Sequence, residues 1–305
     1  MKLSPRMKKI LKWSCLMLFV FMTVGCTVPR DANNNIILIT NDTTFSSIMA
    51  DENWFSAIFV YPLSKLINIL APKITVGGAI IAITILVNGI VALATYKSTI
   101  ATQQMQLIQP ELEKIQRKYE GRDDDTSKMR QAAEMQALYK KYNISPTGTL
   151  LVTFIQFPIL MAMYMAVQRS EAVQTGSFLG MKMDSTPLTG IQGALKGDAA
   201  GWMYLLLFIF MAVCQFLSMK LPQMIQKKKA EAEAAKHHRR PDIPENKSMK
   251  FMQIYMMAMI MMFGLMWPSA MALYWAINSL VNIIKTLVVQ KIIDKNNENK
   301  KGARK

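Results

Sequence analysis

Histidine and cysteine are nearly missing from this chain of 305 residues, which has two of the first and three of the second. His237 and His238 adjoin Arg239 and Arg240 in a run of charge, which removes most metal-site, triad and imidazole acid–base chemistry. Cys15, Cys26 and Cys214 are too few for a disulfide framework, and none has a second Cys or a His at metal-ligand spacing. Charge is also thin. Only 18% of residues are charged against 51% hydrophobic, which excludes a disordered chain and an ordinary soluble domain. Acidic side chains are the scarcer sign, with 20 Asp+Glu against 36 Lys+Arg and a formal net charge of +16. That excess suits nucleic acid or anionic lipid, and its distribution decides between them. No glycine-rich phosphate loop occurs, so nothing points to nucleotide hydrolysis, to an enzyme or to a bound cofactor.

What the chain has is apolar length. Lys2, Arg6, Lys8, Lys9 and Lys12 precede an apolar stretch, residues 13–22, that is too short to span a bilayer. It ends in Thr23-Val24-Gly25-Cys26, similar to a bacterial lipoprotein cleavage box with Thr23 where Leu is usual. Small residues admit the peptidase and the Cys26 thiol takes the lipid, so residues 1–25 read as a signal peptide and Cys26 as the lipidated N-terminus outside the membrane. Five further runs, 77–96, 149–168, 201–220, 249–267 and 268–290, are each near the ~20 residues needed to cross. The last two meet at Trp267-Pro268, where proline favours a tight reversal. Residues 54–70 carry apolar side chains at near-helical spacing, interrupted by Lys65 and Asn68. They read as an amphipathic helix on the outer surface, within an extracytoplasmic segment 26–76.

Loop charge sets the orientation. Residues 97–148 hold nine Lys/Arg, residues 220–250 nine and the chain from 285 onwards seven, whereas 27–76 and 169–200 hold three each. The crowded segments are therefore expected in the cytoplasm, with the N-terminus outside. Most of the net charge is thus topology, and no specific nucleic-acid sequence is an expected partner. The basic tail 293–305 follows the same charge rule, although simple electrostatics also lets it touch phosphate.

The loop 97–148 has a readable shape. Met105, Ile108, Leu112, Ile115 and Tyr119 step by three and four, and Met129, Ala132, Met135, Tyr139 and Tyr142 repeat the spacing after a polar turn at 120–125. Two such seams predict an antiparallel helical hairpin. The second loop, 221–248, is rich in Ala, Glu and Lys before its histidine pair and is expected to be partly disordered over 227–250.

Polar side chains inside the runs fall in stripes. Thr84, Asn88 and Thr95 share a face of the first run, Thr149, Thr153 and Gln156 a face of the second, and Asn278, Asn282 and Lys285 a face of the fifth. Gln215 and Ser218 come late in the third run and Gln253 early in the fourth, so nearly all lie in the middle or the cytoplasmic half. Helix–helix hydrogen bonds, worth roughly 0.6–2 kcal/mol each, would explain one or two of them. Stripes on several helices biased to one leaflet fit a hydrated groove better. The residues expected to line it are Thr84, Asn88, Thr95, Thr153, Gln156, Gln215, Gln253, Asn278, Asn282 and Lys285. Apolar outer halves deny a through-pore.

An ordered set of motifs carries a family resemblance. Tyr61-Pro62-Leu63-Ser64, Tyr96-Lys97-Ser98, Gln109-Pro110-Glu111, Leu138-Tyr139-Lys140-Lys141-Tyr142, Ile155-Gln156-Phe157-Pro158-Ile159 and Leu273-Tyr274-Trp275 resemble the YidC family of membrane protein insertases, across residues 54–292. The lipoprotein signal resembles its Gram-positive branch. The resemblance implies an all-α membrane protein of five transmembrane helices around a cytoplasm-open hydrophilic groove, with a cytoplasmic helical hairpin, in a core spanning 77–292. It implies energy-independent insertion and folding of integral membrane proteins. The implied partners are nascent membrane-protein clients, the lipid bilayer, the Sec translocon and the ribosome. Family members generally carry arginine in the first span, where alignment through Lys97 and Met105 places Asn88, and Lys285 stands where the family more often has glutamine. The rival classes are a small solute transporter or channel, which needs polar residues continuing outward, and a membrane anchor for ribosomes built on the basic tail. The signal yields a first prediction: metabolically supplied palmitate labels the wild-type chain, and Cys26→Ala abolishes the label. Equal labelling of both chains would exclude lipidation at Cys26.

Overall fold

A computed structural model describes residues 28–142, 144, 146–236 and 247–302. The signal segment, Cys26, His237 and His238 lie outside the described residues, as do the side chains of Thr149 and Thr153. The chain is predominantly helical. Helix α1 is Phe45–Asp51; a π-helical turn, Ser56–Val60, runs into α2, Tyr61–Ile74. Helix α3 is Val76–Ala94, followed by α4 (Tyr96–Leu107), α5 (Gln109–Lys118), α6 (Asp125–Lys141) and α7 (Pro146–Arg169). The short α8 (Glu171–Thr175), a two-strand hairpin of β1 (Ser177–Phe178) and β2 (Met181–Lys182), and α9 (Pro187–Leu195) precede three long helices. These are α10 (Gly201–Lys236), α11 (Lys247–Met266) and α12 (Ser269–Gly302).

Four described helical stretches are long and apolar enough to cross a membrane: Ser56–Ile74, Val76–Ala94, Gly201–Ala232 and Ser269–Asn296. Phe251–Met266 is a shorter apolar helix. Ser56–Ile74 qualifies by length and composition although its sequence reads as an interfacial helix. The break between α11 and α12 falls at Trp267-Pro268, where the proline cannot donate. The boundaries expected at 220/221 and 292/293 both fall inside helices, because α10 and α12 continue well past their apolar portions.

The chain forms two compact units. Unit 1 comprises residues up to Thr84, Ile155–Ile209 and Phe263–Trp275. Its core packs Ile39, Ile48, Phe55, Ala57 and Val60 against Ala162, Met165 and Ala166. One ion pair lies beside that core. Arg169, at the end of α7, is 0% exposed, and its Nη1 and Nη2 donate to the two Glu52 carboxylate oxygens at 2.7 and 2.5 Å. Its Nε donates to the Ile37 carbonyl at 2.9 Å. The segment 36–40, before α1, is tied down beside it, with Ile39 N–H donating to the Arg169 carbonyl at 2.6 Å and Asn68 Nδ2 to the Ile39 carbonyl at 2.5 Å. The Asn68 oxygen accepts in turn from the Ser170 hydroxyl (2.7 Å) and the Ala172 amide (3.0 Å). Lys65 donates to the carbonyls of Thr40, Asn41 and Thr43. The two residues that interrupt the apolar pattern of 54–70 are therefore its polar fastenings.

The segment between α7 and α10 is ordered by close packing. A Cβ on Gly77 would sit 2.3 Å from the Phe178 ring, and one on Gly190 would sit 2.2 Å from the Tyr204 ring, so only glycine admits these aromatics. Ser269 donates from both N–H and Oγ to the Ser185 carbonyl, at 2.8 and 2.7 Å. In the same unit the indoles of Trp267 and Trp275 stack 5.3 Å apart and 10° from parallel, with the Tyr164 ring tilted 38° against Trp267.

Unit 2 comprises Ile85–Phe154, Phe210–Met262 and Ala276–Lys305. Within it α5 and α6 pair antiparallel: Lys118 and Tyr119 meet Glu134 at 2.6 and 2.8 Å, while Glu111, earlier on α5, meets Tyr142, which caps the C-terminus of α6. Asp124 caps α6 by accepting from Ser127 N–H at 2.8 Å. The buried seam is Ile108, Leu112, Leu138 and Ile144, with Met105, Ile115, Met135 and Tyr139 against it. The first heptad pattern matches this seam; of the second, Met135 and Tyr139 lie against it, whereas Met129 is 71% exposed and the buried residue is Leu138. Hydrogen bonds from Lys118 and Tyr119 hold the Glu134 carboxyl below the usual glutamate range.

The ion pair of unit 1 gives a stability prediction. Arg169→Ala leaves the Glu52 carboxylate buried without its cation, an expected cost of about 3–5 kcal/mol. Replacing both partners, Arg169→Met with Glu52→Leu, is expected to recover most of that loss. Thermal unfolding in detergent measures both, and equal melting of Arg169→Ala and wild type would exclude a structural role for the pair.

Candidate functional site

Eight of the ten expected groove residues belong to unit 2, and Thr84 and Gln156 belong to unit 1. Thr84 is fully buried, and its hydroxyl donates to the Ile80 carbonyl of its own helix at 2.7 Å. Gln156 is half-buried. In unit 2, Asn88 is half-buried and engaged in an interaction. Thr95 is buried at the break after α3 and donates to the Val91 carbonyl at 2.7 Å. Such back-bonding threonines bend helices, and the chain turns from α3 into α4 at this residue. The Thr153 side chain lies outside the described residues.

The α10 and α12 stretches of unit 2 make a built polar contact. Gln215 Oε1 accepts from the Ser279 hydroxyl at 2.6 Å, with Ser279 1% exposed. Ser279 was not among the expected residues because it lies off the Asn278, Asn282, Lys285 stripe. Its signal was a hydroxyl inside an apolar run, one position from that stripe. Gln253 on α11 accepts from Gln223 Nε2 of α10 at 2.8 Å. Gln215 and Gln253 thus hold helices together, which accounts for them by ordinary helix–helix hydrogen bonding.

The α12 stripe is different. Asn278, Asn282 and Lys285 are all half-buried at offsets of four and three, one face of a helix. Asn278 Oδ1 is buried and has no hydrogen-bond partner among the described residues. Lys285 makes no ion pair among the described residues. An unpaired amide oxygen and an unpaired ammonium cost free energy in hydrocarbon, so this face demands water or a polar ligand. The faces presenting Phe216, Leu217, Ile284, Leu287 and Val288 are apolar and about half exposed, as lipid-facing surfaces are. No group of three or more His, Cys, Asp or Glu side chains that could hold a metal occurs among the described residues. The arrangement can hydrate and orient a polar segment; it has no nucleophile–base pair for bond chemistry.

Residues 69–297 match the 60Kd inner membrane protein family. A Listeria innocua protein named membrane protein insertase YidC 2 is 28% identical over 294 residues, covering 95% of this chain and 86% of its own length. The Bacillus subtilis membrane protein insertase MisCA is 29% identical over 264 residues, 85% of this chain and 88% of its own. A YidC insertase of Oceanobacillus iheyensis is 30% identical over 248 residues, 79% and 85% respectively.

The α12 stripe predicts a one-sided pattern of access. Single cysteines at Asn278 and Asn282, in a Cys214→Ala background, are expected to react with membrane-impermeant thiol reagents in inside-out vesicles only. Equal reaction from both faces would indicate a pore, and reaction from neither would exclude water from the stripe.

Proposed function

The chain belongs to the YidC family of membrane protein insertases, and from that membership we propose that it inserts integral membrane proteins through a hydrated groove lined by the α12 stripe. The carrying observation is Asn278 Oδ1, a buried acceptor with no partner among the described residues, on the same face as Asn282 and Lys285. Water on that face shortens the apolar distance that a client's polar end must cross, since a bilayer core is ~30 Å thick. The client's apolar segment then leaves sideways into lipid along the exposed faces of the helices. No energy source beyond client burial enters this scheme.

The groove opens to the cytoplasm in this reading, in keeping with the basic loops 97–148 and 220–250. Five spans then place the N-terminus outside, where Cys26 carries the lipid anchor, and the α5–α6 hairpin inside. Nascent clients reach the groove from the cytoplasmic face, directly from the ribosome or through the Sec translocon. Asn88, half-buried in the same unit, adds to the polar lining, whereas Gln215 and Gln253 hold helices together. Lys285 adds a charge, and an exposed charge in watery surroundings contributes only ~1 kcal/mol at 4 Å. It therefore biases the groove towards acidic client segments without being essential.

The test is insertion of matched single-span clients, one acidic-tailed and one neutral, into vesicles of the purified protein. Asn88→Leu is expected to impair both clients, because it removes a donor from the first-helix stripe, and Asn88→Arg to be tolerated. Lys285→Gln is expected to reduce insertion of the acidic client modestly and to spare the neutral one. Wild-type insertion of both clients by Asn88→Leu would remove position 88 from the groove.

A further inference from the structure

Three of the membrane-length stretches, those starting at Val76, Gly201 and Ser269, begin against one short segment of unit 1. The Phe178 ring of β1 covers Gly77 in the first turn of α3. The carbonyls of Met183 and Ser185 accept from the first two amides of α12, at Ala270 (3.1 Å) and Ser269 (2.8 Å). Tyr204, in the first turn of α10, accepts from Lys182 N–H at 2.8 Å through its hydroxyl, and its ring covers Gly190 of α9. The β1–β2 hairpin and α9 are therefore held level with the N-terminal ends of spanning helices, where hydrocarbon gives way to water.

This cap turns apolar side chains outward. Its hairpin closes on Leu179 and Gly180, with φ of +52° and +78°, the type I′ pattern that favours Asn-Gly. Leu179 departs from that preference. A bulky side chain is held in the left-handed region although it is 61% exposed, so packing within the protein does not offset the strain. On α9, Leu188, Ile191 and Leu195 recur at steps of three and four, with Leu195 78% exposed. Pro187 and Ala194 are buried on a second side of that helix, and Thr189 is exposed on a third. Trp202, 54% exposed, stands in the first turn of α10, where tryptophan anchors a span, and exposed Leu206 and Ile209 continue the apolar surface along the helix. Lys182 and Lys196 are exposed beside the hairpin tip and the end of α9, and such side chains reach headgroups while their stems stay in apolar surroundings.

We infer that the Leu179 tip and the Leu188–Ile191–Leu195 stripe insert into the bilayer interface and make the cap a membrane foot. Its occupant is lipid, because the stripe is continuous with Trp202 and the exposed apolar flank of a spanning helix. Leucine at the tip trades turn geometry for apolar area buried in lipid. The inference needs the helices to span a membrane and does not rest on the insertase reading.

Spin labels at Leu179→Cys, Leu195→Cys and Thr189→Cys test it one at a time, in a Cys214→Ala background. The purified full chain is placed in vesicles of phosphatidylglycerol and phosphatidylethanolamine. Labels at 179 and 195 are expected to collide several-fold more with oxygen, which concentrates in lipid, than with a nickel chelate confined to water, relative to the label at 189. Leu195→Cys reads the same face from a helix, without disturbing the turn. Nickel access at 179 and 195 equal to that at 189 would place this surface in water and overturn the inference. Shielding of both labels from both reagents would put a second copy of the chain or another protein against it, which also overturns the inference.

Discussion

Hydrocarbon offers no hydrogen bonds, so every polar side chain carried into it must find a partner on the protein or draw water in. The paired residues obey the first alternative. Gln215 takes Ser279, Gln253 takes Gln223, and Thr84 and Thr95 bond back to their own helices. The α12 face is left over once these pairs are assigned. Sorting the polar residues by whether they are satisfied separates those that hold helices together from those that have something to offer a client.

Unit 1 follows the same rule with charge. Burying Arg169 is tolerable only because Glu52 takes both terminal nitrogens and Ile37 takes the third. The partners are more than a hundred residues apart, so the pair also fastens the end of α1 to the end of α7.

Much of the helical framework was legible from apolar run length and from proline: the extent of α3 and the start of α10 follow from the first, and the break at Trp267-Pro268 from the second. The pairing of α5 with α6 was legible from heptad spacing on one strand of the hairpin. On α6 the expected Tyr139 and the buried Leu138 are one position apart and fit a seam comparably, and only the facing Leu112 chooses between them. Arg169 counted as one more outer-loop charge, since nothing local marks Glu52 as its partner. Lys65 and Asn68 interrupted an apolar pattern, and their carbonyl and hydroxyl partners come from segments that only tertiary folding brings near. The stripe on α12 was visible because it lies within one helix, where spacing alone defines a face. Which of the polar residues were already satisfied was not, because satisfaction is a property of two helices.

Helices α10 and α12 have 36 and 34 residues, so at about 1.5 Å per residue each is about 50 Å long. A bilayer core takes up about 30 Å of that, leaving some four turns of each helix in water. Fourteen residues separate Gln215 from Lys229 and fifteen separate Ser279 from Asp294, so the two helices keep nearly the same register from one polar contact to the other. The two helices thus form a stalk whose dimensions are set by protein alone. A thinner or thicker bilayer can tilt the stalk but cannot change the spacing between its two contacts. Dissolved salt, which screens charges over about 8 Å at physiological strength, can reach the Lys229–Asp294 end directly. The Lys229–Asp294 contact is thus insulated from the lipid and answers to the aqueous phase.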